Sequence, residues 1–415
     1  MVKKIVDYFL VFLLIGVSGI PFLMQNPDVL GVEQLNVLSI LFSLSFLVFI
    51  NRKNKVDTLY LLIVFTLIIV IIGQTYIFSK FETEQAMSLI IRFSIPYFII
   101  KTVKKNIIQY YITVIFVLTL ISLLFFLPAQ IISSYDSFVR TLANSLNIDS
   151  FQHRQSFIIY SLDGNHNRNA GAFWEPGGFG CFLLLALYFN IIKEKKIINL
   201  KNIIYIIAII TTFSTASYLG LFMLLLGYFV SIYNTKYKLI ILPLVFLLSL
   251  YVFYSQEFLY QKIVKHYDSQ VYATEQLRNL GRFQSAILDY NDIKENPIFG
   301  RGRGEFRYKT SENFIEYGAA RRSNGLTDFI TKLGLPFSII FFVLLYKALL
   351  KLNQIYEFNM LYAISGFSII LIVGFSQILF LHPLFTGLIF LPLVFTHKAQ
   401  NFNIRNQVIC KCSKS

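Results

Sequence analysis

The chain is poor in charge and in cysteine, and each shortage excludes a class of protein. Only 14% of its 415 residues are charged and 56% are hydrophobic, whereas soluble domains carry about 25% charged residues. Three cysteines are too few for a disulfide framework, and the pair Cys410 and Cys412 has no further Cys or His nearby to complete a metal site. Phe and Tyr are abundant instead, at 43 and 25 residues, as expected near the headgroups of a bilayer. The composition therefore predicts a polytopic membrane protein.

The formal net charge of +15 does not indicate nucleic-acid binding, because the lysines stand in short clusters between apolar spans and no base-reading element accompanies them. The basic clusters fall on alternate loops: Lys3/Lys4, Arg52/Lys53/Lys55, Lys101/Lys104/Lys105, Lys193/Lys195/Lys196, Lys236/Lys238 and Lys347/Lys351. The short loops between them carry Asp28, Glu33, Glu82 and Glu84. Because short loops rich in Lys and Arg face the cytoplasm, we expect these clusters and both termini on the cytoplasmic side.

Apolar runs long enough to cross a bilayer, roughly 20 residues each, predict about twelve spans. They start near residues 5, 35, 58, 87, 106, 177, 202, 217, 238, 328, 358 and 379. The first lacks a small-residue cleavage site, so we interpret it as retained. The seventh and eighth are short and meet at Ser214–Ser217, which also fits broken or re-entrant helices.

The expected fold class is thus all-α, a polytopic transmembrane helix bundle over residues 1–397 with a short cytoplasmic tail at 398–415. Two long polar loops, about 128–176 and 256–326, fall on the extracytoplasmic side. Any chemistry that they perform is therefore expected outside the cytoplasm.

A glycine-rich polar stretch, residues 164–180, ends the first long loop and leads into the sixth span. Its glycines let the backbone bend and approach a ligand closely, and it holds His166, Arg168, Trp174 and Glu175. Glu175 fits a general base for a sugar hydroxyl, but also a helix cap or a counter-ion of Arg168. Trp174 suits stacking on a sugar face or an interfacial aromatic belt, and His166, which lacks metal-ligand spacing, suits a polar lining.

Arginine is concentrated in the second long loop, at positions 278, 282, 301, 303, 307, 321 and 322. The guanidinium group binds phosphate oxygens through two parallel hydrogen bonds, and the glycines at 300, 302 and 304 let backbone amides approach an anion. The loop therefore fits a diphosphate site, although arginines paired with Glu295, Glu305, Glu312 and Glu316 are the alternative. An amphipathic segment from Thr274 to Lys294 precedes these glycines and is expected to end at Asn296-Pro297.

Arg92 interrupts the fourth span. An arginine at that depth costs about 2.5–3.5 kcal/mol on insertion scales, so we expect it to face the protein interior with a partner, where it can help to hold a lipid diphosphate. If the span starts later, Arg92 instead reaches the interface.

Three motifs together resemble the superfamily of O-antigen polymerases and ligases. They are Arg168-x-x-Gly171-x-Phe173-x-Glu175-Pro176, Arg282 followed by Asn296-Pro-Ile-Phe-Gly300-x-Gly302-x-Gly304-x-Phe306, and Ser323-Asn324-Gly-x-x-Asp328. The resemblance implies a multi-pass glycosyltransferase of the bacterial cytoplasmic (inner) membrane, similar to the GT-C class and working without metal, nucleotide or other cofactor. Its substrates would be a donor and an acceptor glycan on undecaprenyl diphosphate, joined at the outer face into O-antigen of lipopolysaccharide, capsule or exopolysaccharide. A chain-length regulator and a flippase are further partners that it suggests.

On this resemblance we expect Arg168, Glu175 and Arg282 to be catalytic. The expected substrate-binding residues are Arg92, His166, Trp174, Arg301, Arg303, Arg307, Arg321 and Asn324. The ligases usually place a catalytic His where this chain has Ser323, which favours a polymerase. A ligase remains the alternative within the superfamily, and a polysaccharide flippase or transporter is the alternative from another class.

Overall fold

Helices dominate the computed structural model, which describes residues 2–24, 34–79, 81–145, 149–150, 154–157, 160–161, 167–232, 281–302 and 323–395. Five helical runs are long and apolar enough to cross a membrane: Thr58–Phe78, Thr83–Ile131, Pro176–Glu194, Thr215–Ile232 and Leu335–Ile355. The described part of the chain is therefore a helical protein of membrane-spanning composition.

In chain order the first helices are α1 (Val2–Gly19), α2 (Pro21–Met24), α3 (Gln34–Asn51), α4 (Thr58–Phe78), α5 (Thr83–Val103), α6 (Ile107–Ile131) and α7 (Ser133–Ser145). A short antiparallel sheet follows, with strands β1 (Asp149–Ser150), β2 (Arg154–Phe157) and β3 (Tyr160–Ser161). The remaining helices are α8 (Pro176–Glu194), α9 (Leu200–Thr211), α10 (Thr215–Ile232), α11 (Arg282–Glu295), α12 (Gly325–Leu333), α13 (Leu335–Ile355), α14 (Tyr362–Ser376) and α15 (Pro383–Gly387), which continues as a 3-10 turn at Leu388–Val394.

Two of the expected spans are corrected at proline residues. The run expected to start near residue 328 is two helices, because Gly334 has a left-handed φ of +79° and Pro336 cannot continue the preceding helix. The spanning helix α13 therefore begins at Leu335. The last span, expected from residue 379, begins instead at Pro383, after residues 377–382 leave the helical conformation. Its helical run, Pro383–Val394, is one of the shorter apolar helices and falls below the roughly 20 residues of a crossing.

The predicted seventh and eighth spans are α9 and α10, and of the two only α10 is long enough to cross a membrane. The ninth expected span, near residue 238, and the tail at 398–415 lie outside the described residues. Helix α11 stops at Glu295, immediately before Asn296-Pro297, as predicted. The small sheet is the one departure from an all-α chain among the described residues.

Helix α8 is the core of the bundle. Its residues from Pro176 to Ile192 are all buried, and helices α6, α9, α10 and α14 pack around it. A helix that is apolar on every side is stable only inside a larger apolar assembly. The first residue of α8 follows Glu175 directly, so this carboxylate stands at the entrance to the most enclosed helix.

The two ends of the bundle differ in chemistry. At the first, which we call the basic end, Arg52 bonds Asp7 at 2.5 Å and the carbonyl of Thr102 at 3.0 Å, while Lys195 pairs with Glu357 at 3.2 Å. The first two contacts join the start of α1 to the ends of α3 and α5, and the third joins the ends of α8 and α13. We call the end of the bundle at which α8 begins the site end. The orientation of the bundle in a membrane stays a prediction from the Lys and Arg clusters.

Candidate functional site

Glu175 lies at the site end, one residue before α8. Its backbone is extended, and its carbonyl accepts the amide of Phe179 at 3.0 Å, but its side chain makes no capping hydrogen bond. Across the described ranges, no hydrogen bond or ion pair occupies this carboxylate. Of the alternatives for Glu175, helix capping is thus not the one adopted.

The loop that carries Arg168 and Glu175 is fixed by a buried asparagine, Asn169. Its amide nitrogen donates to Thr211 Oγ1 at 3.0 Å, and its side-chain oxygen accepts from Ser122 Oγ at 2.7 Å and from the backbone of Gly171 at 3.0 Å. Gly171 has φ of +56°, which L side chains rarely adopt. The loop is therefore held between α6 and α9 by a specific turn.

Arg168 and Arg282 are each held by a hydrogen bond from Nε to a backbone carbonyl at the end of a helix. The Nε of Arg168 donates to the carbonyl of Thr212 at 3.2 Å, just after α9, and the Nε of Arg282 donates to the carbonyl of Ser376 at 3.0 Å, at the last residue of α14. Cations are favoured at helix carboxyl ends. The terminal Nη atoms of both arginines make no hydrogen bond within the part of the chain that is described. Each guanidinium thus keeps its outer edge available for a ligand.

Arg168, Glu175 and Arg282 also act on one another electrostatically. Loss of hydration lowers the pKa of Arg282, the Glu175 carboxylate raises it, and the positive charge of Arg168 lowers it. The residue as a whole stays exposed, and arginine remains protonated in proteins. Glu175 and Arg168 therefore lie within electrostatic range of Arg282, although Arg282 comes from a distant part of the sequence.

Residues 377–382, between α14 and α15, form a non-helical segment at this place that the sequence analysis did not anticipate. Gln377 is 5% exposed. A Cβ placed on Gly177 would lie 2.6 Å from Gln377 Nε2 and 3.4 Å from Glu175 Oε1. Only a glycine lets the Gln377 amide lie across the first turn of α8 beside Glu175. The sequence signal for this segment is Gln377 itself, a polar residue in an apolar run six residues before Pro383.

The same segment brings His382 against Trp174, with ring centroids 5.5 Å apart. His382 Nδ1 lies 2.6 Å from the carbonyl of Ser18, which can only accept, so this nitrogen carries the proton. Trp174 lies over Gly178, where a Cβ would stand 2.7 Å from its ring. Trp174 is therefore part of the site, flanked by a histidine that precedes Pro383 and that the sequence analysis missed.

Arg92 faces the protein interior, as expected, and is 4% exposed. Its Nη1 donates to the carbonyl of Leu381 at 3.2 Å and its Nε to Ser88 Oγ at 3.2 Å, while its own carbonyl accepts from Thr386 Oγ1 at 2.7 Å. Its partner is thus the backbone of the non-helical segment, which it supports from behind.

Two other expected binding residues have intramolecular partners. Arg301 is buried and forms ion pairs with Asp292, at 3.4 Å, and with Glu295, which matches the carboxylate-paired alternative. Asn324 caps α12 by accepting from the amides of Leu326 at 3.0 Å and Thr327 at 3.2 Å. Both positions organise the loop around Arg282.

The other expected binding residues, His166, Arg303, Arg307 and Arg321, lie outside the described residues. Among the positions that are described, no group of three or more His, Cys, Asp or Glu side chains could hold a metal ion.

The chain matches no protein-family model and no curated protein. The described residues form a helical protein with five helices of membrane-spanning length and composition. Its site, with two guanidinium edges, a carboxylate, an amide and an aromatic ring, has the chemistry to bind an anion beside a hydroxyl-bearing ligand.

Proposed function

We propose that this protein is a GT-C-like glycosyltransferase that polymerises oligosaccharide repeat units linked to undecaprenyl diphosphate. The reaction would take place at the outer face of the bacterial cytoplasmic membrane. The observation that carries the proposal is the convergence of Arg168, Glu175 and Arg282 at the end of the bundle opposite the lysine clusters. The two arginines suit a diphosphate, and the carboxylate suits a sugar hydroxyl.

In the proposed reaction, an acceptor hydroxyl forms a bond to the anomeric carbon of the donor glycan. The bond from that carbon to the diphosphate oxygen breaks, and undecaprenyl diphosphate leaves with the electron pair. The Nη edges of Arg168 and Arg282 would receive this growing negative charge. Because their Nε atoms are already fixed by backbone carbonyls, little reorganisation is needed, which is the condition for electrostatic stabilisation of a transition state.

Glu175 would accept the proton of the attacking hydroxyl. Its carboxylate has no hydrogen-bond or ion-pair partner among the described residues, so it is available as a base. The product proton can leave through solvent at the site end.

A ligase remains the alternative within the superfamily. Where the ligases usually place a histidine this chain has Ser323, whose hydroxyl lies 3.3 Å from Ser285 Oγ. A serine hydroxyl does not supply the basic nitrogen of a histidine, which supports polymerase over ligase.

A flippase or transporter is the second candidate, since transporters place their sites at interrupted helices and residues 377–382 interrupt one here. A deletion strain separates the two. Loss of a polymerase leaves surface glycan only one repeat unit long, as we expect. Lipid-linked units that accumulate on the cytoplasmic face, with none outside, would identify a flippase.

A further inference from the structure

The side chain of Gln377 makes no hydrogen bond to any described residue. Gln377 is the first residue after α14 and is 5% exposed. Its amide atoms are not among the fully enclosed unpaired atoms of the described residues, so they keep contact with solvent. The amide can therefore donate to and accept from a ligand that reaches the site.

The surroundings of Gln377 are neutral and aromatic on one side and charged on the other. Across Gly177 its amide lies beside Glu175. The Trp174 ring lies over Gly178, the next residue of α8, and the His382 ring is 5.5 Å from the indole, inclined to it by 54°. The charges of Glu175 and Arg168 both act on Arg282, whose Nε donates to the carbonyl of Ser376, the residue before Gln377, at 3.0 Å. An amide and a carboxylate next to an aromatic face are the groups that bind a sugar: the ring stacks and the polar pair takes the hydroxyls.

The geometry points to Gln377 as a contact residue for the acceptor sugar. Its amide and the Glu175 carboxylate would hold one hydroxyl between them, with the apolar face of the sugar on Trp174. This inference rests on the proposed function and divides the site into a diphosphate half at the arginines and a sugar half at Gln377.

The chain provides its own probe, because Trp174 is its only tryptophan. In the purified full-length protein in detergent, we expect methyl glycosides of common hexoses and N-acetylhexosamines to change Trp174 fluorescence in a saturable way. Gln377→Met keeps the side-chain size but removes the hydrogen bonds. It should weaken this response at least about tenfold, since a site built to bond a hydroxyl depends strongly on its polar groups.

Thermal stability separates a binding role from a structural one. Gln377→Met breaks no hydrogen bond to a described residue and keeps the side-chain size, so this variant should unfold at about the wild-type temperature. Gln354→Met, an exposed position near the basic end, is the matched control and should change neither property. A lower Tm for Gln377→Met, or a wild-type protein in which no glycoside of the panel alters Trp174 emission, overturns the inference.

The proposed function fails differently. If sugar binding depends on Gln377 but the deletion strain still makes long surface glycan, the sugar site stands and the polymerase function is refuted. If the deletion strain makes short glycan but Gln377→Met shows the wild-type fluorescence response to sugars, the polymerase function stands and the role of Gln377 is refuted.

Discussion

Replacement of Arg282 tests the diphosphate half of the site most directly. The guanidinium has two roles in the proposed site. Its Nε donates to the carbonyl of Ser376 at 3.0 Å, and its Nη atoms, which make no hydrogen bond to a described residue, would bind the diphosphate. Alanine removes both functions. Lysine keeps the charge, but its single ammonium group can bond the carbonyl or the ligand and lacks the planar fork that serves both.

The expected magnitude follows from these contacts. A hydrogen bond to a charged group contributes about 1.5–3 kcal/mol, and each 1.36 kcal/mol changes a rate about tenfold. Arg282→Ala should therefore slow polymerisation by roughly ten- to a hundredfold or more, and Arg282→Lys should recover only part of that loss. If Arg282 were simply a solvated cation, substitution would change stability by less than about 0.5 kcal/mol and leave the glycan unaltered.

The assay is the chain length of surface glycan on a gel, in strains whose membrane levels of each variant match the wild type. Arg140→Ala is the control, because this arginine of the first long loop is already paired with Asp136 at 2.7 Å, one helical turn away. Its loss should leave chain length normal. Long chains of normal distribution from Arg282→Ala and Arg168→Ala together would refute the diphosphate assignment.

Two further predictions concern orientation and stability. A cysteine at Ser133 should react with an impermeant thiol reagent in intact spheroplasts and one at Lys195 should not; the reverse pattern would invert the bundle. Asp292→Ala leaves the buried Arg301 without its enclosed partner and should destabilise the protein by about 3–5 kcal/mol, whereas Glu295→Ala, at a half-exposed carboxylate, should cost less than about 1 kcal/mol. Equal melting temperatures for these two variants would show that Asp292 is not the partner that stabilises Arg301.

The sequence predicted the helical class and the apolar runs of membrane-spanning length, because apolar length depends on the bilayer and not on distant contacts. It also brought Arg168, Glu175 and Arg282 into one hypothesis. The sequence did not distinguish Arg282 from Arg301, because both are arginines of the same loop. One keeps an open edge beside Glu175, and the other is enclosed by Asp292. Only the packing of α11 against its neighbours decides between them.

The non-helical segment at residues 377–382 escaped for a related reason. Its composition is that of a spanning helix, and the single signals in it, Gln377 and His382, are ordinary residues in isolation. The break is stabilised by hydrogen bonds from side chains of other helices. Arg92 donates to the carbonyl of Leu381 at 3.2 Å, and Ser18 Oγ accepts from the amide of Leu384 at 2.8 Å.

These contacts explain how the fourth span can accommodate the buried charge of Arg92. An arginine inside a spanning helix is unfavourable by itself, and so are unpaired carbonyls at a helix break in an apolar surrounding. The arginine donates the hydrogen bond that the carbonyl needs, so neither the buried arginine nor the helix break is expected to be stable without the other. The result is a fixed polar segment at the mouth of α8, and Gln377 and His382 stand on it. The buried arginine of the fourth span thus acts on the site through the backbone that it holds.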